Sequence, residues 1–363
     1  MKVIFSIMLI CITTLSARDL VAVDLDVANY YYTSKDDSYN IQDYKAQVTY
    51  AEVFKNNYKV VSQVEVLARR NAHLNHETFD GNYIYFKALY LEYLINKNYS
   101  FYIGKVPYLY DELDIYNYGG SSSSKTTLGE GLFLISGNIR NTVGISFHKD
   151  RAKINFGYIA KLDNFLDGAS PYQDFNMQST FDKADGLTLY IKCNPIEKHI
   201  FTYDSYLVKA RLSDKNTDIL AYNGAIQYLY DDTDYSGYKF INEVAYSYKN
   251  SDSDTHTTTN GYAYRTAIMK QIDYLYETVV GFEYIKTSKD FVSIKTSVVN
   301  NRNNMVFGGS NYNMFSTFSF SKDISMSFCF SYQRVNYVRP SLEQVVPSNF
   351  SIKTIHTSIS YHF

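Results

Sequence analysis

The sequence predicts an all-β fold, a transmembrane antiparallel β-barrel of about 16 strands, with 18 as the alternative. Three observations carry this. The chain contains about sixteen stretches in which apolar and polar residues alternate, the period of a strand whose two faces meet different surroundings. Tight turns and longer gaps alternate between those stretches, as in a barrel with short turns at one end and long loops at the other. The composition holds 38 Tyr and 23 Phe with no Trp and only 5 Pro. A tyrosine ring is apolar and its hydroxyl is wet, which suits the boundary between membrane and water. A Tyr-rich soluble β-sandwich or adhesin is the competing fold.

The first residues are read apart from the barrel. Met1 and Lys2 precede an apolar run from Val3 to Leu15, then Ser16-Ala17-Arg18. One positive charge, a short apolar core and small residues make a secretory signal peptide. Cleavage is expected after Ala17, leaving residues 18–363 as one barrel domain, since no linker or composition break divides them. Cys11 follows Ile10 rather than a small residue, which argues against lipidation. No run of 18 or more apolar residues follows Ala17, so no membrane helix is expected. Lys and Arg number 35 against 37 Asp and Glu. Loss of Lys2 makes the balance about −3, which argues against nucleic acid as a partner. Cys193 and Cys329 fall on distant strands and are expected to be free thiols.

In chain order, Val21 to Thr33 places Val21, Val23, Leu25 and Val27 opposite Asp24 and Asp26. Asp43 to Phe54 sets Tyr44, Ala46, Val48 and Tyr50 against Lys45, Gln47 and Thr49, and Asn56-Asn57 turns the chain. Tyr58 to Ala68 follows, then a gap to Asn82. Tyr83 to Ile95 is strand-like with blurred alternation, the mark of a bulge. Asn96-Lys97-Asn98 leads into Tyr99 to Val106. The longest early gap, 107–138, comes next. Connections of that length are usually functional or disordered.

Regularity resumes at Ile139 to Phe147 and Ala152 to Leu162, separated by a turn at His148 to Asp150. After a loop, Leu187 to Ile191 and Phe201 to Leu207 flank Asn194-Pro195. Leu220 to Tyr230 has a clean apolar face, as do Phe240 to Tyr248, Tyr262 to Ile268 and Tyr276 to Tyr284. A loop from Thr287 to about Ser310 precedes Tyr312 to Phe320, Ile324 to Tyr332 and the final stretch. The 18-strand alternative would recruit Phe291 to Val299 and Met305 to Phe307 as strands. In the final stretch Ile355, Thr357, Ile359, Tyr361 and Phe363 share one face, and His356, Ser358, Ser360 and His362 the other.

The chemistry-bearing residues are few. The gap 107–138 holds four acids, Asp111, Glu112, Asp114 and Glu130, and one base, Lys125. Lys153, Arg265, Glu277 and Glu283 fall on polar faces, with Asp24, Asp26 and Glu243, and are expected to form a hydrated wall. His73, His76 and Glu77 could hold zinc. Asp231, Asp232 and Asp234, or Asp252 and Asp254, could attract calcium, but none has EF-hand spacing. No metal or cofactor is therefore assigned. His356 and Ser358 have the spacing of a barrel phospholipase. They lie on the polar face opposite Phe363, and a lipid-facing catalytic pair would need the other face. The chain is not expected to be an enzyme.

The signal peptide, the sixteen runs, the long third loop and the Tyr361/Phe363 ending together resemble the Gram-negative general porins. The Tyr-rich, Trp-free composition also looks like the major outer-membrane porins of Campylobacter-type bacteria, which implies eighteen strands. The resemblance implies an outer-membrane channel for ions and small hydrophilic solutes, surrounded by lipid and assembled as a homotrimer. It implies that Ile359, Tyr361 and Phe363 are the signal read by the barrel assembly machinery. It also implies that the third loop folds towards the lumen, where Asp111, Glu112, Asp114 and Glu130 would form a constriction facing Lys45, Lys87 and Arg140 on the wall. The net charge then favours cations weakly. A non-conducting adhesin or structural barrel is the alternative.

Overall fold

The computed structural model describes residues 20–33, 38–54, 57–73, 80–107, 139–162, 181–212, 217–251, 257–273, 277–291, 307–321, 323–338 and 346–362. They form sixteen strands. The first eight are β1 (Leu20–Thr33), β2 (Ser38–Phe54), β3 (Tyr58–His73), β4 (Asp80–Asn96), β5 (Tyr99–Pro107), β6 (Ile139–Lys149), β7 (Ala152–Leu162) and β8 (Phe181–Ile196). The second eight are β9 (His199–Leu212), β10 (Thr217–Asp232), β11 (Tyr238–Ser251), β12 (Thr257–Asp273), β13 (Glu277–Thr287), β14 (Phe307–Ser319), β15 (Ile324–Val338) and β16 (Val346–His362).

Every strand pairs antiparallel with its sequence neighbours, and β1 pairs with β16, so the sheet is a closed barrel. Leu25 stands opposite Tyr361 and Val27 opposite Ile359 in that closing ladder. Closure removes the two edges that an open sheet of this size would expose. Phe291, the first residue of the two extra strands considered above, is not in a strand, and residues 292–306 lie outside the described residues. The count of sixteen therefore stands among the described residues.

The period of two sorts the side chains by face. On β10 and β11, Ile226 and Val244 are 59% and 55% exposed, while their neighbours Gln227 and Glu243 are 0% exposed. On β16, Ile355 and Ile359 are exposed while His356, Ser358 and Ser360 are buried. Apolar outside and polar inside is the inverse of a soluble sandwich, and it matches a barrel whose outer wall meets hydrocarbon. Aromatic pairs mark both rims of that outer wall. Near the short turns Tyr58 meets Tyr93 and Tyr99 meets Phe147, with ring centroids 4.8 and 5.0 Å apart. Near the long connections Tyr284, Tyr312 and Tyr332 sit opposite one another in successive strands.

The short turns are built by local chemistry. Asn96 Oδ1 accepts from the backbone N–H groups of Asn98 and Tyr99, at 2.8 and 3.0 Å, and folds the β4–β5 corner. Asp150 takes a left-handed conformation, φ 48°, that aspartate tolerates. Lys198 takes the same region, φ 69°, and its Nζ lies 2.6 Å from Asp232 Oδ1 in the adjoining turn. That bond to the Asp232 carboxylate raises the Lys198 ammonium above the usual lysine value. Asp231 is likewise engaged by Lys239 at 2.8 Å. These two carboxylates, considered above as calcium ligands, are thus held by lysines, while Asp234 is exposed. His73 ends β3 rather than lying in a loop, and residues 74–79 and 252–256 lie outside the described residues.

The blurred alternation of β4 has a structural cause. Gln63 pairs with Ala88 and Val64 with Phe86, so Lys87 is the extra residue of a bulge and has no residue opposite it in β3. Cys193 on β8 and Cys329 on β15 form no disulfide.

Candidate functional site

The inner wall is the place where solute chemistry would occur, and it is sorted by charge. On β11 to β14 the register sets Glu243 directly opposite Arg265, and Glu283 directly opposite Asn313. Arg265 Nε donates to Glu283 Oε1 at 2.7 Å, and Nη1 to Glu243 Oε2 at 3.2 Å. Asn313 Nδ2 donates to Glu283 Oε2 at 2.7 Å. All four side chains are 0% exposed. The planar guanidinium fits this role because its donors are fixed in a fork that can reach two carboxylates at once. One cation between two anions leaves a formal charge of −1 on this group, and Lys249 is buried on the same face of β11.

The hydrated wall expected from sequence is therefore corrected for Glu243, Arg265 and Glu283. They lie on the inner face, but mutual pairing across three strands has replaced water. Burial there is general. Asp204, Gln227, Ser247 and Asn313 are also buried on the inner side of β9 to β14. Glu277, on the same face of β13 as Glu283, is exposed near the short-turn end.

The other side of the barrel is basic. Lys153 on β7 stands directly opposite His148 on β6 and Lys192 on β8. Lys59 stands opposite Glu92, which accepts from Ser100 Oγ at 2.5 Å. Lys59, Glu92, His148 and Lys153 line one small inward cavity. Like charges directly opposite in a ladder repel, and Glu92 offsets part of that repulsion here.

A connection also turns inward. After β13, the Ser288 N–H donates to the Tyr262 carbonyl at 2.9 Å, and the Tyr262 N–H donates to Ser288 Oγ at 3.0 Å. The backbone then passes over Gly261, which shares the buried face of β12 with Ala263 and Arg265. A Cβ on Gly261 would stand 2.1 Å from Phe291 Cα, and one on Gly308 would stand 2.8 Å from Lys289 Cα. Only glycine at these two positions lets the chain lie so close. Phe291 is buried at the end of this strap. The sequence placed this stretch in the loop from Thr287 to about Ser310, or, on the 18-strand alternative, at the start of a strand. Gly261 was the available signal, a glycine inside an alternating strand that marks close approach of another backbone.

The remaining candidates divide as follows. Asp111, Glu112, Asp114 and Glu130 lie outside the described residues, as does Phe363. Lys45 pairs in register with Asp26, Lys87 is the bulge residue of β4, and Arg140, the second residue of β6, stands opposite Val106. The side chains of these three bases lie outside the described residues. Ile359 is exposed on the outer wall and Tyr361 half-buried. His356 and Ser358 are both buried inside, and Ser358 Oγ has no hydrogen-bond partner among the described residues. A His–Ser catalytic pair needs that bond.

Solved structures similar to this chain over nearly its whole length share the architecture. The outer membrane channel DcaP of Acinetobacter baumannii is 9% identical with a TM-score of 0.59, covering 96% of this chain and 99% of that one. OmpT, an outer membrane protein of Vibrio cholerae in its trimer form, is 12% identical with a TM-score of 0.56, covering 95% and 99%. An anion-selective porin from Comamonas acidovorans is 11% identical with a TM-score of 0.55, covering 95% and 100%. No protein-family model matches the chain, and no curated protein matches it by sequence. At these identities the likeness is one of fold. By that fold the chain is a closed sixteen-strand antiparallel β-barrel of the kind these outer-membrane proteins share.

Proposed function

We propose that this barrel is a porin: a water-filled channel for passive diffusion of ions and small hydrophilic solutes, weakly selective for cations, with no enzymatic activity. The observation that carries the proposal is the closed sixteen-strand sheet with its charged and amide side chains on the inner face and its apolar side chains outside. The net −1 of the Glu243–Arg265–Glu283 group supports the cation preference on its side of the pore, opposed by the basic side at Lys59, Lys153 and Lys192. The acids of 107–138 extend the proposal. In a narrow, low-dielectric opening Asp111, Glu112, Asp114 and Glu130 would act as the filter, with Lys45, Lys87 and Arg140 facing them.

The trimer form of the Vibrio protein supports a homotrimer here. The Tyr-rich composition supports kinship with Campylobacter-type porins, although the barrel closes with sixteen strands where that resemblance implies eighteen. Residues 1–17 are proposed to be removed on export, with Ile359, Tyr361 and Phe363 read by the assembly machinery and the outer wall covered by membrane lipid.

Liposome swelling tests passive diffusion. Vesicles holding the folded protein should swell in small sugars at a rate that falls steadily with sugar size. If the rate instead saturates with concentration, a specific binding step governs entry and simple diffusion is wrong. For the filter, Asp111→Asn with Glu130→Gln should lower cation preference, and an unchanged reversal potential would remove the loop from that role. One observation favours the second reading, a non-conducting barrel that serves as adhesin or structural protein. Midway along β9 to β14 the inner side chains, among them Asp204, Gln227, Glu243, Arg265, Glu283 and Asn313, have almost no exposed surface. Swelling no faster than empty vesicles would select it.

A further inference from the structure

We propose that the outer wall carries a specific site for one anionic phospholipid, with its phosphate at Lys270 and Tyr238 and an acyl chain in the groove beside them. This rests on the reading that the outer wall meets membrane lipid, and it adds a lipid class and an address. Five residues stand opposite one another in successive strands of the wall: Tyr238, Lys270, Val280, Ser316 and Phe328. Each shares its strand's face with exposed apolar residues, so the row faces outward. Ser316 is the short member. Between Val280, Phe328 and the protruding Met314 it leaves a dent, and the concavity that includes all six residues measures about 790 Å³. That lies within the size range of small-molecule sites.

The polar end of the groove is a cation. Lys270 comes three residues before β12 ends at Asp273. Its Nζ donates to Tyr238 Oη at 3.1 Å and lies 4.2 Å from that ring's centroid. No carboxylate pairs with it among the described residues. A lysine on a lipid-facing wall is unfavourable unless its ammonium reaches the interface or meets an anion. Two ammonium protons and the Tyr238 hydroxyl proton remain to donate. Three donors beside an apolar groove match a phosphate monoanion joined to acyl chains. A zwitterionic headgroup would bring its own cation towards Lys270 and fit less well.

The test uses the full chain in nanodiscs of phosphatidylcholine containing a minor fraction of phosphatidylglycerol, with retained lipids counted by native mass spectrometry. The wild-type protein should retain one phosphatidylglycerol above the bulk ratio. Lys270→Gln and, independently, Ser316→Leu should each lower that retention at least fivefold, while Lys209→Gln, on the exposed face of β9 near its long-connection end, leaves it unchanged. Circular dichroism confirms the fold of each variant. Loss in both variants, with no displacement by inorganic phosphate, supports the site. Retention that survives both substitutions overturns it while leaving the membrane wall intact. Displacement by inorganic phosphate overturns the lipid assignment in favour of a free anion. Failure of the wild-type protein to enter nanodiscs at all overturns the membrane wall, and the site with it.

Discussion

Arg265 carries its charge with no exposed surface, between two glutamates from neighbouring strands. Its stability role follows from that geometry. Removing one partner of a buried ion group leaves charges without compensation and costs about 3–5 kcal/mol. Arg265→Met should therefore lower the unfolding free energy of the refolded barrel by about that amount in urea titration. Replacing Glu243 and Glu283 with Gln in the same chain should recover most of the loss. Recovery failing would mean that Arg265 acts through packing rather than charge. Lys198 offers a second residue-scale test, because its left-handed backbone suits glycine better than alanine. Lys198→Gly should give a higher thermal midpoint than Lys198→Ala, since both lose the Asp232 bond and only alanine keeps the strain. Sequence reading found Arg265 and Glu283 as polar-face charges but not their partnership. Glu243, Arg265 and Glu283 come from three strands, and only the ladder register, set by the connections between strands, brings them together.

Each strand was legible where its faces meet different media, and its ends were not. The alternating runs located all sixteen strands, and β7 matches from Ala152 to Leu162. The differences gather at the long-connection ends. β2 starts at Ser38 rather than Asp43, β3 runs to His73 rather than Ala68, β9 runs to Leu212 rather than Leu207, and β16 starts at Val346. There the alternation of apolar and polar residues lapses, so the ladder continues through sequence that has lost its period of two. The strap after β13 was hidden for a different reason. Its placement depends on Gly261 and Gly308, on strands that flank β13, and no local pattern joins them to Phe291. Gly261→Val should push the strap off β12. Limited proteolysis of folded protein should then cut after Lys289 at least several-fold faster than in wild type. Equal rates would show that the strap does not depend on the glycine notch.

For the molecule as a whole, the inverted distribution of apolar surface decides the surroundings. Ile226 is exposed on the outer wall and contributes nothing to an interior core. Ile226→Lys should cost about 2–4 kcal/mol for folding into bilayers if this position lies near the midplane. In a soluble protein the same exposed substitution would be close to neutral. Closure through β1 and β16 joins the two ends of the chain in one ladder and leaves the opposed charges of β6–β8 and β11–β13 around a common interior. Such an arrangement conducts ions if that interior is continuous. Single-channel recording in a planar lipid bilayer is the direct test. Folded protein should give steady, discrete current steps that scale with salt concentration, with a reversal potential displaced weakly towards cations. A bilayer that stays silent after verified insertion would contradict the channel and leave a barrel closed by its own chain.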